Sequence, residues 1–149
     1  MKMSCYMKIK IISILSVFCF FGCKTRNNIT IQNNPIEAIK FMGSITTQPY
    51  SINEKTFWNS KDEHAKLLIK NNVFIEDVKN LKNHSSQNFK EYNYAFIMRH
   101  GKSTDTLYSD SSLQSWILKE NNTTSYFYDE EGIIAEKLRA SYSFFYDCW

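Results

Sequence analysis

The chain predicts a single small α+β domain whose sheet is largely antiparallel. Its 149 residues leave room for one ordinary domain. Before Asn88 and again after Gly132, apolar residues recur at helical spacing. Between Tyr92 and Tyr128, short segments alternate as strands do. Helical and strand spacing within one short chain indicates the α+β class.

The first predicted helix begins at Pro35. Asn34 suits the capping position and Pro35 the first helical position, and Ile36, Ile39 and Met42 follow at helical spacing. Residues 46–56, with the sequence TTQPYSINEKT, are predicted to be a loop.

A second helix is predicted from Ser60, which has Glu63 three places on, as in a capping box. Its apolar stripe is expected to contain Ala65, Leu68 and Ile69. After an interruption at residues 71–72, a further helical segment is indicated by apolar residues at the same spacing, namely Phe74, Val78 and Leu81.

The strands are predicted after residue 88. Alternation begins at Tyr92 and continues to Met98, and residues 104–109 and 123–128 have strand composition. Residues 109–122 predict a short helix capped by Ser109 or Asp110, with its apolar face made by Leu113, Trp116 and Ile117. Residues 129–132 predict a turn. Residues 133–149 predict a helix, although their aromatic-rich end fits a strand equally.

The N-terminal segment has the organisation of a secretory signal. Lys2, Lys8 and Lys10 precede the apolar run from Ile11 to Phe21, after which the sequence is abruptly polar. This run is too short to span a bilayer comfortably, since about 20 residues are needed.

The end of the signal, Phe20 to Cys23 with the sequence FFGC, resembles the lipobox of bacterial lipoproteins. The resemblance implies cleavage before Cys23, a thioether-linked diacylglycerol on its sulfur, and an acyl chain such as palmitate on its new amino group. Phe20 departs from the commoner Leu. The alternatives are a buried Cys in an ordinary signal, or an uncleaved anchor. Several acyl chains together give stable membrane attachment.

The lipobox divides the chain into three parts. Residues 1–22 are the signal peptide, residues 23–34 a lipidated polar tether, and residues 35–149 the domain. Lys24 follows the lipidated Cys, whereas an Asp there commonly signals retention at the inner membrane in bacteria with two membranes. The outer membrane is therefore the expected location in such an organism.

Charge and cysteine content follow from this cleavage. Removal of the three signal lysines leaves 15 basic and 15 acidic residues, and no dense basic cluster in the sequence predicts a nucleic-acid partner. Cys5 and Cys19 leave with the signal and Cys23 is lipidated, so Cys148 remains alone, without a disulfide partner. Burial of Cys148 as a small apolar side chain is expected, with a nucleophilic role as the alternative.

The segment FIMRHGKST, residues 96–104, resembles the signature of the histidine phosphatases. The resemblance implies that His100 accepts a phosphoryl group and that Arg99 holds its oxygens. In that family, the chain downstream supplies a second His, another Arg and an acid. Here only 48 residues follow Gly101, and none is His. We therefore predict a hairpin turn in which Gly101 has positive φ, with no catalytic site.

Two acidic clusters contain residue types that can bind a metal ion. Asp62, Glu63 and His64 are adjacent and do not face one another on a helix. Residues 129–131 are too short a run for a calcium loop and predict a solvated turn. We predict no metal or cofactor site, and no catalytic residues.

These observations predict a lipid-anchored envelope protein that acts by binding a protein, including the immunity type that neutralises a toxin. The C-terminal aromatic residues are expected to be core or a binding patch. The alternatives are an accessory structural subunit of an envelope complex, and a small hydrolase acting through His100, Arg99 or Cys148.

Overall fold

A computed structural model describes residues 34–43, 51–85 and 89–146. The signal peptide, Cys23, most of the tether and Cys148 lie outside the described residues, so the predictions made for them stay predictions. Among the described residues, no helix is long and apolar enough to cross a membrane.

The described residues form one six-stranded sheet in which every neighbouring pair of strands is antiparallel. The strands are β1 (Ile36–Phe41), β2 (His64–Ile69), β3 (Tyr94–His100), β4 (Ser103–Ser109), β5 (Ser115–Glu120) and β6 (Thr123–Tyr128). Their order across the sheet is β2-β1-β3-β4-β5-β6. The α-helices in the described part are α1 (Glu54–Asn59), α2 (Val73–Lys79) and α3 (Ile133–Ser141). This architecture confirms an α+β fold that is rich in sheet.

Both faces of the sheet carry a hydrophobic core. On the first face, α2, α3 and a 3-10 turn at Ser143–Phe145 cover residues that include Tyr94, Phe96 and Trp116. On the second face, α1 and the segment around Ile52 cover a smaller cluster that includes Ile39, Tyr108 and Ile117. The central strands are therefore buried on both sides.

The helix predicted from Pro35 is wrong, because these residues form β1. Residues 38–41 are all buried, and they alternate between the two cores. A strand covered on both faces shows no polar alternation, so its sequence also fits helical spacing. Lys40 lies among the buried residues because its Nζ donates to the backbone oxygens of Phe144 and Tyr146.

The helix predicted from Ser60 is also wrong. Ser60 makes no side-chain cap with Glu63, and its Oγ donates to Thr56 O instead. A 3-10 turn at Lys61–Glu63 leads into β2, where Ile69 is buried and Leu68 is 57% exposed. This difference between neighbours is the period-2 pattern of an edge strand.

The helix predicted over residues 109–122 is a tight turn followed by β5. Asp110 does act as a cap, since its Oδ1 accepts from the backbone N–H groups of Gln114 and Ser115 at 3.1 and 3.2 Å. Leu113 takes a positive φ of 62° in this turn and is fully buried. The side chain of Asp110 thus stabilises a turn instead of a helix.

The loop predicted over residues 46–56 is wrong at its C-terminal end, where α1 begins. Asn53 caps α1, because its Oδ1 accepts from Thr56 N at 2.9 Å. The first part of that loop, residues 46–50, lies outside the described residues.

The remaining strand and helix predictions are confirmed for α2, β3, β4 and β6. The predicted C-terminal helix is confirmed for α3, Ile133–Ser141. The aromatic-rich end that follows, where it is described, is a short 3-10 turn and neither continues the α-helix nor forms a strand. The turn at residues 129–132 is also confirmed, but Asp129 is not solvated. Its carboxylate is buried and accepts from the N–H groups of Gly132 and Ile134 at the start of α3.

Candidate functional site

The Arg-His-Gly segment forms the end of the β3–β4 hairpin. His100 lies opposite Ser103, so Gly101 and Lys102 make a two-residue turn. Gly101 has a φ of 59°, the positive value that such a turn requires. The predicted hairpin turn is confirmed.

Arg99 and His100 have different partners, one on each face of β3. Arg99 Nη2 lies 2.8 Å from Glu37 Oε2, and Glu37 also pairs with Lys66 at 3.0 Å. The hydrogen bond from Arg99, followed by that from Lys66, holds the pKa of Glu37 below its ordinary value. On the other face, His100 Nε2 lies 3.5 Å from a carboxylate oxygen of the buried Asp105. The two side chains therefore do not converge on one position.

Asp62 and Glu63 lie in the 3-10 turn Lys61–Glu63, whereas His64 begins β2. Within the described part of the chain, no three His, Cys, Asp or Glu side chains are grouped as metal ligands would be. His64 packs on the ring of Phe57, with ring centroids 4.6 Å apart, and burial lowers its pKa.

An open groove lies on the second face of the sheet, where three half-buried rings surround buried aliphatic side chains. We call it the aromatic groove; its volume is about 160 Å³ and its lining residues are Ser51, Ile52, Asn53, Phe89, Lys90, Tyr92, Ile117 and Tyr126. Ile52 and Ile117 are buried, whereas Ser51, Asn53 and Lys90 are exposed. The groove thus has an apolar interior and a polar rim.

The rings of the groove are in contact with one another and with the core. Phe89 packs edge-on against Tyr92 with ring centroids 4.8 Å apart, and Tyr92 packs in the same way against Tyr108 at 5.0 Å. Tyr126 lies opposite Ile117 in the β5–β6 pairing. Each contacting pair of rings adds about 0.5–1.5 kcal/mol beyond its buried area.

A hydrogen-bonded cluster holds Tyr108 behind the groove. The Tyr108 hydroxyl donates to Glu54 Oε1 at 2.9 Å and accepts from Trp58 Nε1 at 3.0 Å. Glu54 also forms an ion pair with Lys119. Burial raises the pKa of Tyr108 well above its ordinary value, so this hydroxyl keeps its proton at neutral pH. The cluster fixes α1, and with it Ile52 and Asn53, against the sheet.

The aromatic groove was not found in the sequence. The C-terminal aromatic residues considered there belong mainly to the first core, where Phe145 is fully buried and Tyr142 and Phe144 pack against it. The groove draws its residues from three separate stretches: the start of α1, residues 89–92 and the β5–β6 pair. Tyr92 and Tyr126 each lie in a segment that the sequence predicts to be a strand. The sequence does not show that their side chains lie on the same face, because that depends on how the strands pair.

Comparison of the chain with protein-family models, with curated proteins and with solved structures gave no match in any of the three. Its function is therefore argued from its own residues.

Proposed function

We propose that this chain is a lipid-anchored envelope protein that acts by binding another protein through the aromatic groove. The lipid anchor rests on Cys23 in the lipobox-like FFGC segment and on the polar residues that follow it. The binding role rests on one observation: half-buried aromatic side chains and exposed polar side chains together line an open depression at the protein surface.

The size of the groove favours a side chain over a free small molecule. At about 160 Å³ it is smaller than the roughly 300–1,000 Å³ of typical ligand pockets. An aromatic or branched aliphatic side chain projecting from a partner protein suits this space. Tyrosine residues such as Tyr92 and Tyr126 often contribute most of the energy of protein interfaces.

The rim of the groove fits the same role. Ser51, Asn53 and Lys90 supply exposed polar groups around the apolar interior. A polar rim around an apolar centre is typical of protein interfaces. The hydrogen bond between Tyr108 and Glu54 supports the groove from behind, which lowers the conformational entropy lost on binding.

The positions of Arg99 and His100 favour binding over phosphoryl chemistry. Each is paired with an acid on a different face of the sheet, Glu37 and Asp105 respectively. Phosphoryl transfer needs several cationic groups around one phosphate. We therefore assign no catalytic role to this hairpin.

Site-specific photo-crosslinking in cells tests the proposal. A photoreactive phenylalanine analogue is placed at Tyr126, inside the groove, and in a matched protein at Tyr146, which is 52% exposed but outside the groove. We expect a discrete protein adduct from position 126 alone. The partner so identified should bind the purified protein with a saturable 1:1 isotherm.

A substitution inside the aromatic groove tests whether the crosslinked adduct depends on the groove itself. Tyr92→Ser should remove the adduct at position 126 while leaving the thermal unfolding transition cooperative. Absence of any protein adduct at 126, or equal adducts at 126 and 146, would contradict binding through the groove.

A further inference from the structure

The loops at the two ends of the sheet carry opposite charge. We call the end that contains the β3–β4 turn the hairpin end. The pairing places the start of β1 and the end of β2 there, because Ile36 lies opposite Ile69 and Glu37 opposite Ile97. The remaining loops, before β2 and β3 and after β4 and β6, lie at the opposite end.

The hairpin end is basic. Its exposed cations are Lys66, Lys70, Arg99 and Lys102. The side chains of Lys66 and Arg99 are each 61% exposed, although both contact Glu37. Asp105 is the second acid nearby, and it lies beside His100 on the first face. Two further ion pairs, Lys79 with Glu120 and Lys119 with Glu54, each join one base to one acid and so add no net charge.

The opposite end is acidic. Seven acids lie in its loops: Asp62, Glu63, Glu91, Asp110, Asp129, Glu130 and Glu131, of which Asp129 is buried. The bases there are Lys61 and Lys90, together with Arg139, whose Nη2 donates to Ser112 O in the loop after β4. The domain therefore has a charge separation that runs along its strands, although the mature chain carries equal numbers of acids and bases.

The chain enters the domain at the basic end. Asn34 lies two residues before the start of β1, and its Nδ2 donates to Arg99 O at 3.0 Å. Ten residues, 24–33, separate it from Cys23. Ten residues span at most about 35 Å when fully extended, and about 17 Å as a flexible coil. A lipid on Cys23 would keep the hairpin end close to the membrane.

We propose that the hairpin end docks on anionic lipid headgroups, so that the acidic end of the domain faces away from the membrane. The inference rests on the lipid anchor proposed for Cys23. A negatively charged surface attracts Lys and Arg and repels acids over a Debye length of about 8 Å. Each basic residue near such a surface strengthens association about fivefold. Lys70 and Lys102 supply this attraction. Lys66 and Arg99 add to it, because their two positive charges exceed the single negative charge of Glu37.

This orientation presents the aromatic groove for binding. Phe89, Lys90 and Tyr92 precede β3, and Ser51 to Asn53 precede α1, so these parts of the groove belong to the acidic end. A membrane against the hairpin end leaves them accessible to a protein partner.

The experiment uses the lipidated protein in vesicles of phosphatidylcholine, with and without 30% phosphatidylglycerol. In a Cys148→Ser background, a donor dye is attached at Thr104→Cys near the hairpin or at Glu130→Cys at the acidic end, and both positions are exposed. Energy transfer to a headgroup-labelled lipid reports the distance to the membrane. We expect transfer from position 104 to exceed that from 130 at least twofold with phosphatidylglycerol, and this excess to fall in 1 M salt.

Charge reversal supplies the matched controls. Lys70→Glu with Lys102→Glu should abolish the excess, whereas Lys61→Glu with Lys90→Glu, which changes the net charge equally at the acidic end, should preserve it. Equal transfer from positions 104 and 130 in protein that still floats with the vesicles would overturn this inference alone. If transfer from position 104 exceeded that from 130 by the same salt-sensitive amount with and without phosphatidylglycerol, the basic surface would bind an anionic partner other than this lipid. That result would also overturn the inference. Protein that does not float at all would overturn the anchor, and the inference with it.

Discussion

The Tyr108 hydroxyl donates a hydrogen bond to Glu54 Oε1 over 2.9 Å, which joins the middle of the sheet to the first residue of α1. The same hydroxyl accepts from Trp58 Nε1, so both ends of this short helix are tied to one side chain. An isolated helix of six residues is unstable in water. α1 therefore depends on contacts such as these and on the burial of Phe57.

Replacement of Tyr108 by Phe tests this dependence. The change keeps the ring that packs against Tyr92 but leaves the partly buried Trp58 N–H and one Glu54 oxygen without this partner. We expect the free energy of unfolding to fall by about 1–2 kcal/mol, as measured by urea denaturation. Tyr126→Phe is the control, since among the described residues no hydrogen bond joins its hydroxyl to α1. Equal stability of the two variants would contradict a structural role for the Tyr108 hydroxyl.

The same hydroxyl predicts how stability depends on alkaline pH. Burial, together with the nearby Glu54, raises the pKa of Tyr108 above the ordinary 10.0 in the folded protein. The unfolded chain therefore releases this proton at lower pH than the folded chain does. The contribution is fully present below about pH 10 and is lost progressively at higher pH. We expect the urea midpoint of the wild type to fall between pH 9.5 and 11 more steeply than that of Tyr108→Phe. Parallel curves would show that Tyr108 does not retain its proton in the folded state.

We expect the contacts of Lys40 to hold the segment after α3 against the sheet. Its buried Nζ donates to Tyr146 O at 2.8 Å and to Phe144 O at 3.3 Å, and lies 5.6 Å from the centre of the Tyr94 ring. Lys40→Met keeps the apolar stem and removes these donors. We expect a loss of about 1.5–3 kcal/mol in the free energy of unfolding, and faster amide exchange after α3, measured by mass spectrometry.

The matched change for Lys40 is Lys66→Met on the neighbouring strand, where the side chain is 61% exposed. A surface ion pair contributes little, so this variant should keep wild-type exchange after α3. If Lys40→Met also leaves that exchange unchanged, the contacts of Lys40 do not hold the C-terminal segment.

Gly101 predicts a backbone effect at the hairpin turn. A Cβ at this position would meet no atom within 4 Å, so the cost of substitution lies in its φ of 59°. Gly101→Val should lower the free energy of unfolding by about 1 kcal/mol or more, whereas Gly101→Asn, which tolerates positive φ, should cost less. Equal unfolding midpoints for the two variants would contradict this account.

The neighbours of Gly101 should behave differently. Arg99→Ala with His100→Ala removes two exposed side chains and should change the unfolding midpoint little. Phosphatase activity that is present in the wild type and lost specifically with His100→Ala would contradict our assignment of this segment to a structural turn.

β3 is buried on both faces, but its large residues Tyr94, Phe96 and Met98 alternate with other residue types, so its sequence still predicts a strand. Strand composition alone predicts β4 and β6, and helical spacing predicts α2. β1 was misread because both of its faces are buried, so Ala38, Ile39 and Phe41 give no polar alternation. β5 was misread for the same reason, since Trp116 and Leu118 pack on one core and Ile117 on the other.

Sequence periodicity predicts neither the aromatic groove nor the basic surface of the hairpin end. The aromatic groove and the basic hairpin end each collect residues from distant parts of the chain, which only strand pairing brings together. Lys70 and Lys102, for example, are separated by 32 positions but lie at the same end of the sheet. Residues 23–149 contain equal numbers of acids and bases, so composition alone does not indicate this separation.

The lipid anchor that we propose implies that membrane attachment depends on one residue. Cys23 alone follows the small residue, Gly22, that ends the apolar run. Cys23→Ala should abolish both metabolic labelling with a fatty-acid analogue and recovery in the membrane fraction, because no thiol remains at the lipobox. Cys148→Ser is the matched control, since it removes the other cysteine of the mature chain and should leave labelling intact. A Cys23→Ala protein that still carries the label and stays with the membrane would show that the anchor lies elsewhere.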